Sequence, residues 1–307
     1  GAKIKSADLY SFAPVTEITA EDIAVTGKAS IGEILLELPS QGSGLSRTYN
    51  NGGSGAVRID MRHLGSGRNL ILVDGRRWVN SGQGANGSVD LNSIPSAMVE
   101  RVEILRDGAS AVYGSDAIAG VINIITKDDY AGTSATYQTG EYFDGGGQSE
   151  VMTFTVGEST GSGSYIAGVS VVDLMSLGNG ERPETNAHPA VGSSGTPQGR
   201  FAYGDVGGAT AGCSNWTVLE GTPGTNAATD FRCWVNGTGD DPETGGDRFN
   251  YNPYNYIETP SKRLNAFAKM TRDLETGQTV RLDFMYPVSY THLRAHETVL
   301  DLVCRLL

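Results

Sequence analysis

Residues 99–126 read VERVEILRDGASAVYGSDAIAGVINIIT, and this stretch decides the fold of the first part of the chain. Two short β-branched runs, residues 102–105 and 121–125, flank a connection of small residues with room for one helical turn. Runs of this kind predict strands that are covered on at least one face. We therefore expect two buried strands, joined through residues 107–120, in a unit that also contains helices.

Signals upstream of this stretch predict the rest of the same unit. Residues 19–22 (TAED) and 30–33 (SIGE) have the spacing of capping boxes, each of which opens a helix. The second helix is expected over residues 31–38, with one apolar face and an end at the following proline. Asp74-Gly75 lies between two β-rich runs and predicts a type I′ hairpin. Residues 1–128 are therefore expected to form one compact α+β domain.

The sequence pattern changes after residue 127 to an alternation of apolar and polar residues. The alternating segments are residues 151–156, 165–172, 263–271 and 280–286, and residues 133–139 are taken as the strand before them. A period of two with Gly-rich turns is typical of the strands of a transmembrane β-barrel. A soluble β-sandwich alternates in the same way, so the period alone leaves both architectures open.

The lengths of the connections favour the barrel. If residues 133–139 enter from the periplasmic side, the turns at residues 157–164 and 273–278 also lie in the periplasm, and both are short. The connection over residues 173–261 then lies outside and is by far the longest. Short periplasmic turns and long outer loops are typical of outer-membrane barrels.

Composition and motifs exclude several classes of function. The formal net charge of −12 argues against a nucleic-acid partner, because phosphate neutralisation needs clustered Lys and Arg. No stretch approaches the roughly 18 apolar residues of a membrane helix. Residues 1–10 lack the apolar core of a signal peptide, so we expect the true start of an exported protein to be missing. The sequence has no GxxxxGK, HExxH or CxxC motif, so no catalytic residue, metal site or cofactor is predicted.

Seven collinear motifs between residues 31 and 126 resemble the plug domain of TonB-dependent outer-membrane receptors. They are IGEILLELP (31–39), MRHLG (61–65), LVDGRR (72–77), DLNSIP (90–95), VERVEILR (99–106), GASAVYGSDAI (108–118) and GVINIIT (120–126). FNY at residues 249–251 and YIETP at residues 256–260 are similar to the early barrel of the same family. The chain departs from the family pattern at His63 and Asp107, and neither change affects the fold that the resemblance implies.

The resemblance implies a fold and a function. The fold is an α+β plug domain over residues 1–128, followed over residues 129–286 by the first antiparallel strands of an incomplete transmembrane β-barrel. The function is active transport of a nutrient ligand across the bacterial outer membrane, with the plug gating the lumen. The implied partners are TonB, outer-membrane lipid and the extracellular ligand. The segment that binds TonB is not recognisable in residues 1–12. A signalling or adhesion receptor of the same architecture and a secreted β-rich enzyme are the alternatives.

Two groups of side chains are the candidates for plug function. The expected plug–barrel contacts are the charged residues Arg62, Glu100, Arg101, Glu103 and Arg106. Their alternative role is that of solvated ends of strands and helices. Charged contacts suit a plug that blocks passage at rest and shifts under force, because a dry apolar interface would resist that movement.

Ligand binding is expected in the outer loop, residues 173–261, together with the plug apex that faces it, for which residues 41–55 and 80–88 are the candidates. The candidates are Phe201, Tyr203, Trp216, Trp234, Asp240 and Asp241. Aromatic faces beside carboxylates suit a neutral or cationic nutrient, so an oligosaccharide is favoured over an anionic ferric chelate. For Trp216 and Trp234, packing within the loop is favoured over ligand contact. The same loop contains Cys213 and Cys233. Because an outer loop lies in an oxidising compartment, we expect a disulfide between them.

Residues 287–307 differ from the rest of the chain. They contain no Gly, and the string VSYTHLRAHET at residues 288–298 is similar to translated sequencing-adapter read-through. We therefore expect residues 287–307 to be a non-native tail, with a genuine C-terminal helix as the alternative. His292 and His296, spaced as metal ligands on a helix would be, are discounted for this reason.

Overall fold

The computed structural model describes residues 15–42, 44, 46–48, 55–81, 87–106, 110–186, 199–202, 213, 215–218, 231–235, 246–248 and 252–291. The chain forms two compact units, Gly1–Leu177 with Glu258–Leu293 and Gly178–Ile257 with Arg294–Leu307. Among the described residues, no helix is long and apolar enough to cross a membrane.

The α+β domain predicted to be a plug, called the plug domain below, is built on a five-stranded sheet. Its strands are β1 (Val15–Thr19), β2 (Asn69–Val73), β3 (Arg76–Arg77), β4 (Val99–Leu105) and β5 (Gly120–Thr126). Its α-helices are α1 (Ala20–Val25), α2 (Ile31–Leu36) and α3 (Ser110–Tyr113), and 3-10 turns cover Ser66–Arg68, Leu91–Ser93, Ser96–Met98 and Ser115–Ala117. The strand order is β1-β4-β5-β2-β3, in which only β2 and β5 run parallel.

Local capping places the two predicted helices. Thr19 and Asp22 form a capping box at the start of α1, and the Ser30 hydroxyl accepts from the Glu33 N–H at the start of α2. Helix α2 ends at Leu36, two residues before the predicted end, and buries Ile31, Gly32, Ile34 and Leu35. Leu38 still packs against the core, although it lies past the helix. The apolar face was therefore predicted correctly and the helix length was overestimated.

The predicted hairpin is present between β2 and β3. Asp74 has φ 49° and Gly75 has φ 76°, the two left-handed conformations that a type I′ turn requires. The Asp74 N–H donates to the Ile124 carbonyl, and the Gly75 N–H donates to the Asn123 side chain. The turn is thus anchored to β5, and this anchoring fixes where the Asp74 carboxylate lies.

The remaining strands follow the plug domain in the chain. They are β6 (Gly132–Gly140), β7 (Ser149–Thr160), β8 (Gly163–Leu174), β9 (Leu177–Gly178), β10 (Trp216–Val218), β11 (Phe231–Cys233), β12 (Tyr256–Glu258), β13 (Ser261–Asp273) and β14 (Thr279–Thr291). The five long ones form an open antiparallel sheet in the order β14-β13-β8-β7-β6, called the wall sheet below. The prediction of an α+β domain followed by antiparallel barrel-type strands is confirmed.

One end of the wall sheet differs from the predicted boundary. Strand β14 continues to Thr291, five residues past residue 286, because residues 287–291 pair in register with residues 261–265 of β13. Pro287 is tolerated there because β14 is an edge strand of this sheet. One side of its backbone has no neighbouring strand, so no N–H donor is needed on that side. Residues 292–307 lie outside the described residues, and the non-native origin of the tail stays a prediction.

The wall sheet has the opposite polarity to a sheet in a soluble protein. Leu282 and Phe284 are each 58% exposed, whereas Arg263 and Lys269 are only 4% exposed. The exposed apolar and aromatic side chains are Tyr137, Met152, Phe154, Tyr165, Val169, Val171, Leu264, Met270, Val280, Leu282, Phe284, Tyr286 and Tyr290. A soluble sandwich buries its apolar face, so this polarity decides in favour of a membrane barrel.

The second unit is described by itself. Strands β10 and β11 form a two-stranded antiparallel ribbon in which Trp216 pairs with Cys233. Helix α4 (Pro183–Asn186) and 3-10 turns at Asn179–Glu181 and Asn252–Tyr254 also belong to this unit.

The close packing of α2 against the plug core generates a prediction about Gly32. A Cβ at Gly32 would lie 2.4 Å from Val57 Cγ1 and 3.0 Å from Leu91 Cβ. We expect Gly32→Ala to lower the stability of the plug domain by about 1–3 kcal/mol, the usual cost of overpacking. Amide hydrogen exchange of residues 31–36 measures this loss. Gly161→Ala is the control because nothing lies within 4 Å of its added Cβ. Equal exchange in the two variants would contradict the prediction.

Candidate functional site

One face of β13 carries a row of buried polar side chains that faces the plug domain. The row consists of Ser261, Arg263, Asn265 and Lys269, with Phe267 as its apolar member, and each of the five is at most 6% exposed. Their spacing of two places them on one side of the strand. Buried polar groups are costly unless they are hydrogen-bonded, so the partners of this row define how the plug domain is held.

At one end of the row lies a cluster of charges, called the base cluster below. It consists of Asp74, Thr126, Asp128, Lys269 and Arg281. Asp74 Oδ2 accepts from Thr126 Oγ1 at 2.6 Å, from Arg281 Nη2 at 2.6 Å and from Lys269 Nζ at 3.2 Å. Asp74 Oδ1 accepts from the Thr126 N–H at 2.9 Å. One carboxylate on the hairpin therefore joins the end of β5 to two strands of the wall sheet.

The charges of the base cluster are balanced. Asp128 contacts Lys269 and lies 3.3 Å from Arg281, so two carboxylates face two cations. The Lys269 side chain is only 4% exposed, whereas that of Asp128 is 54% exposed. A buried cation without a partner would be strongly destabilising. The two carboxylates of the cluster therefore allow β13 to carry Lys269 on its inner face.

The middle of the row is bonded less completely. Arg263 Nη1 donates to Asn92 Oδ1, and Asn92 Nδ2 donates to the Gly55 carbonyl. Within the described part of the chain, Arg263 Nε and Nη2 and Asn265 Oδ1 have no protein partner. Polar groups of this kind are ordinarily satisfied by water. The contact between plug domain and wall sheet is therefore polar and less tightly bonded here than at the base cluster.

Asp90 supports this middle contact from the plug side. It accepts from the Val57 N–H at 2.9 Å and from the Asn92 N–H at 3.0 Å. Burial raises the pKa of the Asp90 carboxyl, and these two hydrogen bonds and the charges of Arg263 and Arg58 oppose that rise. The short turn that presents Asn92 to Arg263 is thus capped by a partly desolvated carboxyl group.

At the other end of the row, the loop after α2 is bonded to outer segments of the wall. Arg47 Nη2 lies 2.5 Å from Glu258 Oε2 and donates to the Met175 carbonyl at 3.2 Å. The Arg47 carbonyl accepts from the Thr259 N–H at 2.9 Å. The Tyr142 hydroxyl donates to Glu258 Oε1 at 2.7 Å. The plug domain therefore contacts the wall at three levels along β13.

Four of the five charged residues predicted to contact the barrel have described partners inside the plug domain. Arg101 pairs with Glu100 at 2.8 Å and with Glu103 at 3.0 Å. Arg62 donates to the Ile118 carbonyl at 2.6 Å. Arg106 directly follows β4 and is half-buried. These bonds do not test contact with a closed barrel, so that role stays a prediction for all five residues.

The residues of the base cluster were not singled out as site residues from the sequence. A signal for two of them was present: the alternation had placed Lys269 on the polar face of one strand and Arg281 on that of the next. The inference that was missing is that the polar face of such strands is the one toward the plug. Asp74 had been assigned only to the turn.

The predicted ligand residues that are described pack within the second unit. Phe201 bonds to Trp216 through both backbone groups at 2.8 Å, and its ring meets Phe231 edge-on at 6.0 Å. Trp216 is 1% exposed, as the packing alternative expects. The Arg200 guanidinium lies 4.1 Å from the centre of the Trp234 ring. Tyr203, Asp240 and Asp241 lie outside the described residues. Ligand contact by this group stays a prediction.

The ribbon of the second unit generates a prediction about its cysteines. The structure pairs Cys213 with Cys233, with Cα atoms 5.6 Å apart, a distance that suits a disulfide. We expect no free thiol in the exported protein when Cys304 is replaced by Ser and thiols are counted under denaturing, non-reducing conditions. Counting after reduction is the control and should give two thiols. Two free thiols before reduction would mean that the cysteines are only neighbours.

The base cluster generates a prediction about Lys269. Replacing it with Gln leaves Asp74 and Asp128 with one cation, and loss of a charge-assisted hydrogen bond costs about 1.5–3 kcal/mol. We therefore expect Lys269→Gln to accelerate amide hydrogen exchange in residues 74–77. Lys262→Gln is the matched control on the same strand, because Lys262 pairs with Asp173 and its side chain is 65% exposed. Equal effects of the two substitutions would show that the base cluster does not hold the hairpin.

Comparison with known proteins agrees with this architecture. The family model described as TonB-dependent receptor plug domain matches residues 10–121. A doubly substituted ferric enterobactin receptor (PfeA) from Pseudomonas aeruginosa is 21% identical over 92% of this chain and 41% of that chain, with a TM-score of 0.50. The ferric citrate transporter FecA in its unliganded form is 12% identical over 92% of this chain and 32% of that chain, with a TM-score of 0.51.

These comparisons assign a family to residues 10–121 and show how much of a similar receptor the chain spans. At such identities the two solved structures show the fold alone, and the chain spans about 41% of the length of the enterobactin receptor. The family match lies on the plug domain, and the shared fold extends over the wall sheet. Residues 10–121 of the chain are therefore a TonB-dependent receptor plug domain, and the antiparallel wall sheet that follows shares the fold of these two receptors.

Proposed function

We propose that the chain is part of a receptor that actively transports a nutrient ligand across the outer membrane, with the plug domain as the gate. The observation that carries this proposal is the base cluster, in which Asp74 of the plug domain accepts from Lys269 and Arg281 of the wall sheet. Charged contacts of this kind hold the plug domain in place at rest. They can also exchange for water when the plug domain is pulled.

The polarity of the wall sheet supports the location of this gate. Its outer face exposes side chains such as Leu282 and Phe284, which suit outer-membrane lipid. Its inner face carries the buried polar row of β13 beside the apolar Phe267 and Ile166. Lipid is therefore the proposed partner of the outer face. TonB is the proposed source of the force, through a segment outside the described residues. The family consists of receptors and transporters, so we do not propose an enzymatic activity.

For the ligand we propose a neutral or cationic nutrient such as an oligosaccharide. Residues 173–261 contain eleven Asp and Glu but only four basic residues, all Arg. Two of those, Arg200 and Arg248, lie over the Trp234 ring. An acidic outer segment disfavours an anionic ligand electrostatically. Ferric enterobactin and ferric citrate, for which the two similar receptors are named, are the competing ligand class.

The gating role is tested with vancomycin, a glycopeptide too large for ordinary porins. In cells that express a full-length receptor containing this sequence, we expect Lys269→Gln with Arg281→Gln to increase vancomycin sensitivity several-fold, because the plug domain loses both cations of the base cluster. Lys262→Gln with Arg272→Gln is the matched control, since both side chains lie at the exposed ends of β13. Unchanged sensitivity in the first double variant would contradict gating by this cluster.

Active transport and ligand class are tested together by uptake. Fluorescent maltoheptaose and ferric enterobactin are offered separately to cells that express the receptor, with and without a functional TonB. We expect TonB-dependent entry of maltoheptaose only. TonB-dependent entry of ferric enterobactin instead would contradict the proposed ligand class but would still support active transport. Ligand entry that does not depend on TonB would contradict active transport.

A further inference from the structure

Two outer segments of the wall bond to Arg47 of the plug domain, and a third bonds to its partner Glu258. Arg47 contacts Glu258 and Thr259 before β13, and the carbonyl of Met175 after β8. Tyr142, in the turn between β6 and β7, reaches the same Glu258 carboxylate. These five residues are called the apex knot below. It links Arg47, in a loop of the plug domain, to Met175 and Glu258, which lie 128 and 211 residues further along the chain.

The apex knot joins the two parts through both side chain and backbone. The Arg47 side chain is 12% exposed and that of Glu258 is 15% exposed, so the pair is largely shielded from solvent. Charge-assisted hydrogen bonds of this kind are stronger than neutral ones. The Arg47 carbonyl also accepts from the N–H and the hydroxyl of Thr259, at 2.9 and 3.0 Å. A displacement of Glu258 or Thr259 therefore acts directly on Arg47.

Tyr142 fixes the second oxygen of Glu258. Its ring is confined by Gly147, where an added Cβ would lie 2.6 Å from the ring carbons. Burial and the hydrogen bond to Glu258 raise the pKa of Tyr142 to about 12, so the hydroxyl remains a donor at physiological pH. Both oxygens of Glu258 are thus held, one by the plug domain and one by an outer turn.

The rest of the described loop makes no comparable bond. In its described part, residues 41, 42, 44 and 46–48, the hydrogen bonds to outer segments all come from Arg47. Ser46 and Thr48 bond to each other, and the Gly42 N–H donates to Asp60 inside the plug domain. Arg47 is therefore the connection between this loop and the outer segments within the part of the chain that the structure describes.

We infer that Arg47 is a positioning residue that makes the plug loop and the outer segments open together, so that movement of the outer segments reaches the plug domain through the Arg47–Glu258 pair. This inference rests on the proposed gating function and adds a route for signals from outside. The base cluster lies at the opposite end of β13 and holds the resting plug domain. The apex knot transmits a movement of the outer segments to the plug domain.

The test is hydrogen exchange on the purified full-length receptor, with no ligand present. Arg47→Gln removes the charge pair, and we expect exchange to rise roughly 10- to 100-fold, as loss of a charge-assisted hydrogen bond implies. The rise should occur together in residues 41–48 of the plug loop and at the outer amides of Gly145, Met175 and Thr259. Glu258→Gln should give the same pattern from the wall side. The reversed pair, Arg47→Glu with Glu258→Arg, should restore slow exchange.

Matched controls and alternative outcomes keep the inference falsifiable. Arg77→Gln breaks an exposed ion pair with Asp116 inside the plug domain and should leave all these segments unchanged. Faster exchange in residues 41–48 alone would show that Arg47 stabilises only its own loop, which would overturn the inference. Failure of the reversed pair to restore slow exchange would also overturn it. If Arg47→Gln does not fold, Tyr142→Phe removes one bond to Glu258 and should raise exchange in both places more mildly. None of these readouts uses transport, so failure here is distinct from failure of the proposed function.

Discussion

The structure depends on one electrostatic constraint: a cation buried on the inner face of a wall strand needs a carboxylate close by. Lys269 is buried on β13, and Asp74 and Asp128 are its acidic partners. Asp74 can reach it because the hairpin turn is anchored to β5 through Ile124 and Asn123. The charge of the wall and the turn of the plug domain are therefore parts of the same arrangement, although 195 residues separate them.

The same constraint explains why charged side chains lie on the inner face of the wall sheet, whereas its outer face is apolar. A plug that must be released cannot be sealed by a dry apolar core, because separating such a core would expose a large apolar area to water. The polar row of β13 provides contacts that water can replace. Apolar side chains such as Phe284 are then left for the outer face, where lipid surrounds a barrel. One alternating pattern thus serves two different environments.

Much of the fold could be predicted from the sequence, because its signals are local. Capping residues, the Asp74-Gly75 turn and the period of two each act over a few neighbours, and the structure contains the corresponding elements. The base cluster could not be predicted in this way. Alternation shows that Lys269 is on a polar face but does not identify its partner. Arg101 and Glu103 had the right charges and a strong motif, yet their described partners all lie inside the plug domain.

The hydrogen bonds of Asp74 to Thr126 have a consequence for the entropy of assembly. Both bonds lie inside the plug domain, so the carboxylate is already oriented before any wall strand meets it. Only the long side chains of Lys269 and Arg281 must then lose rotamer freedom, at a cost of up to about 2 kcal/mol each. An acceptor that is ordered in advance reduces the disorder lost on docking. The plug domain therefore brings a preorganised anion to a wall whose cations supply the flexibility.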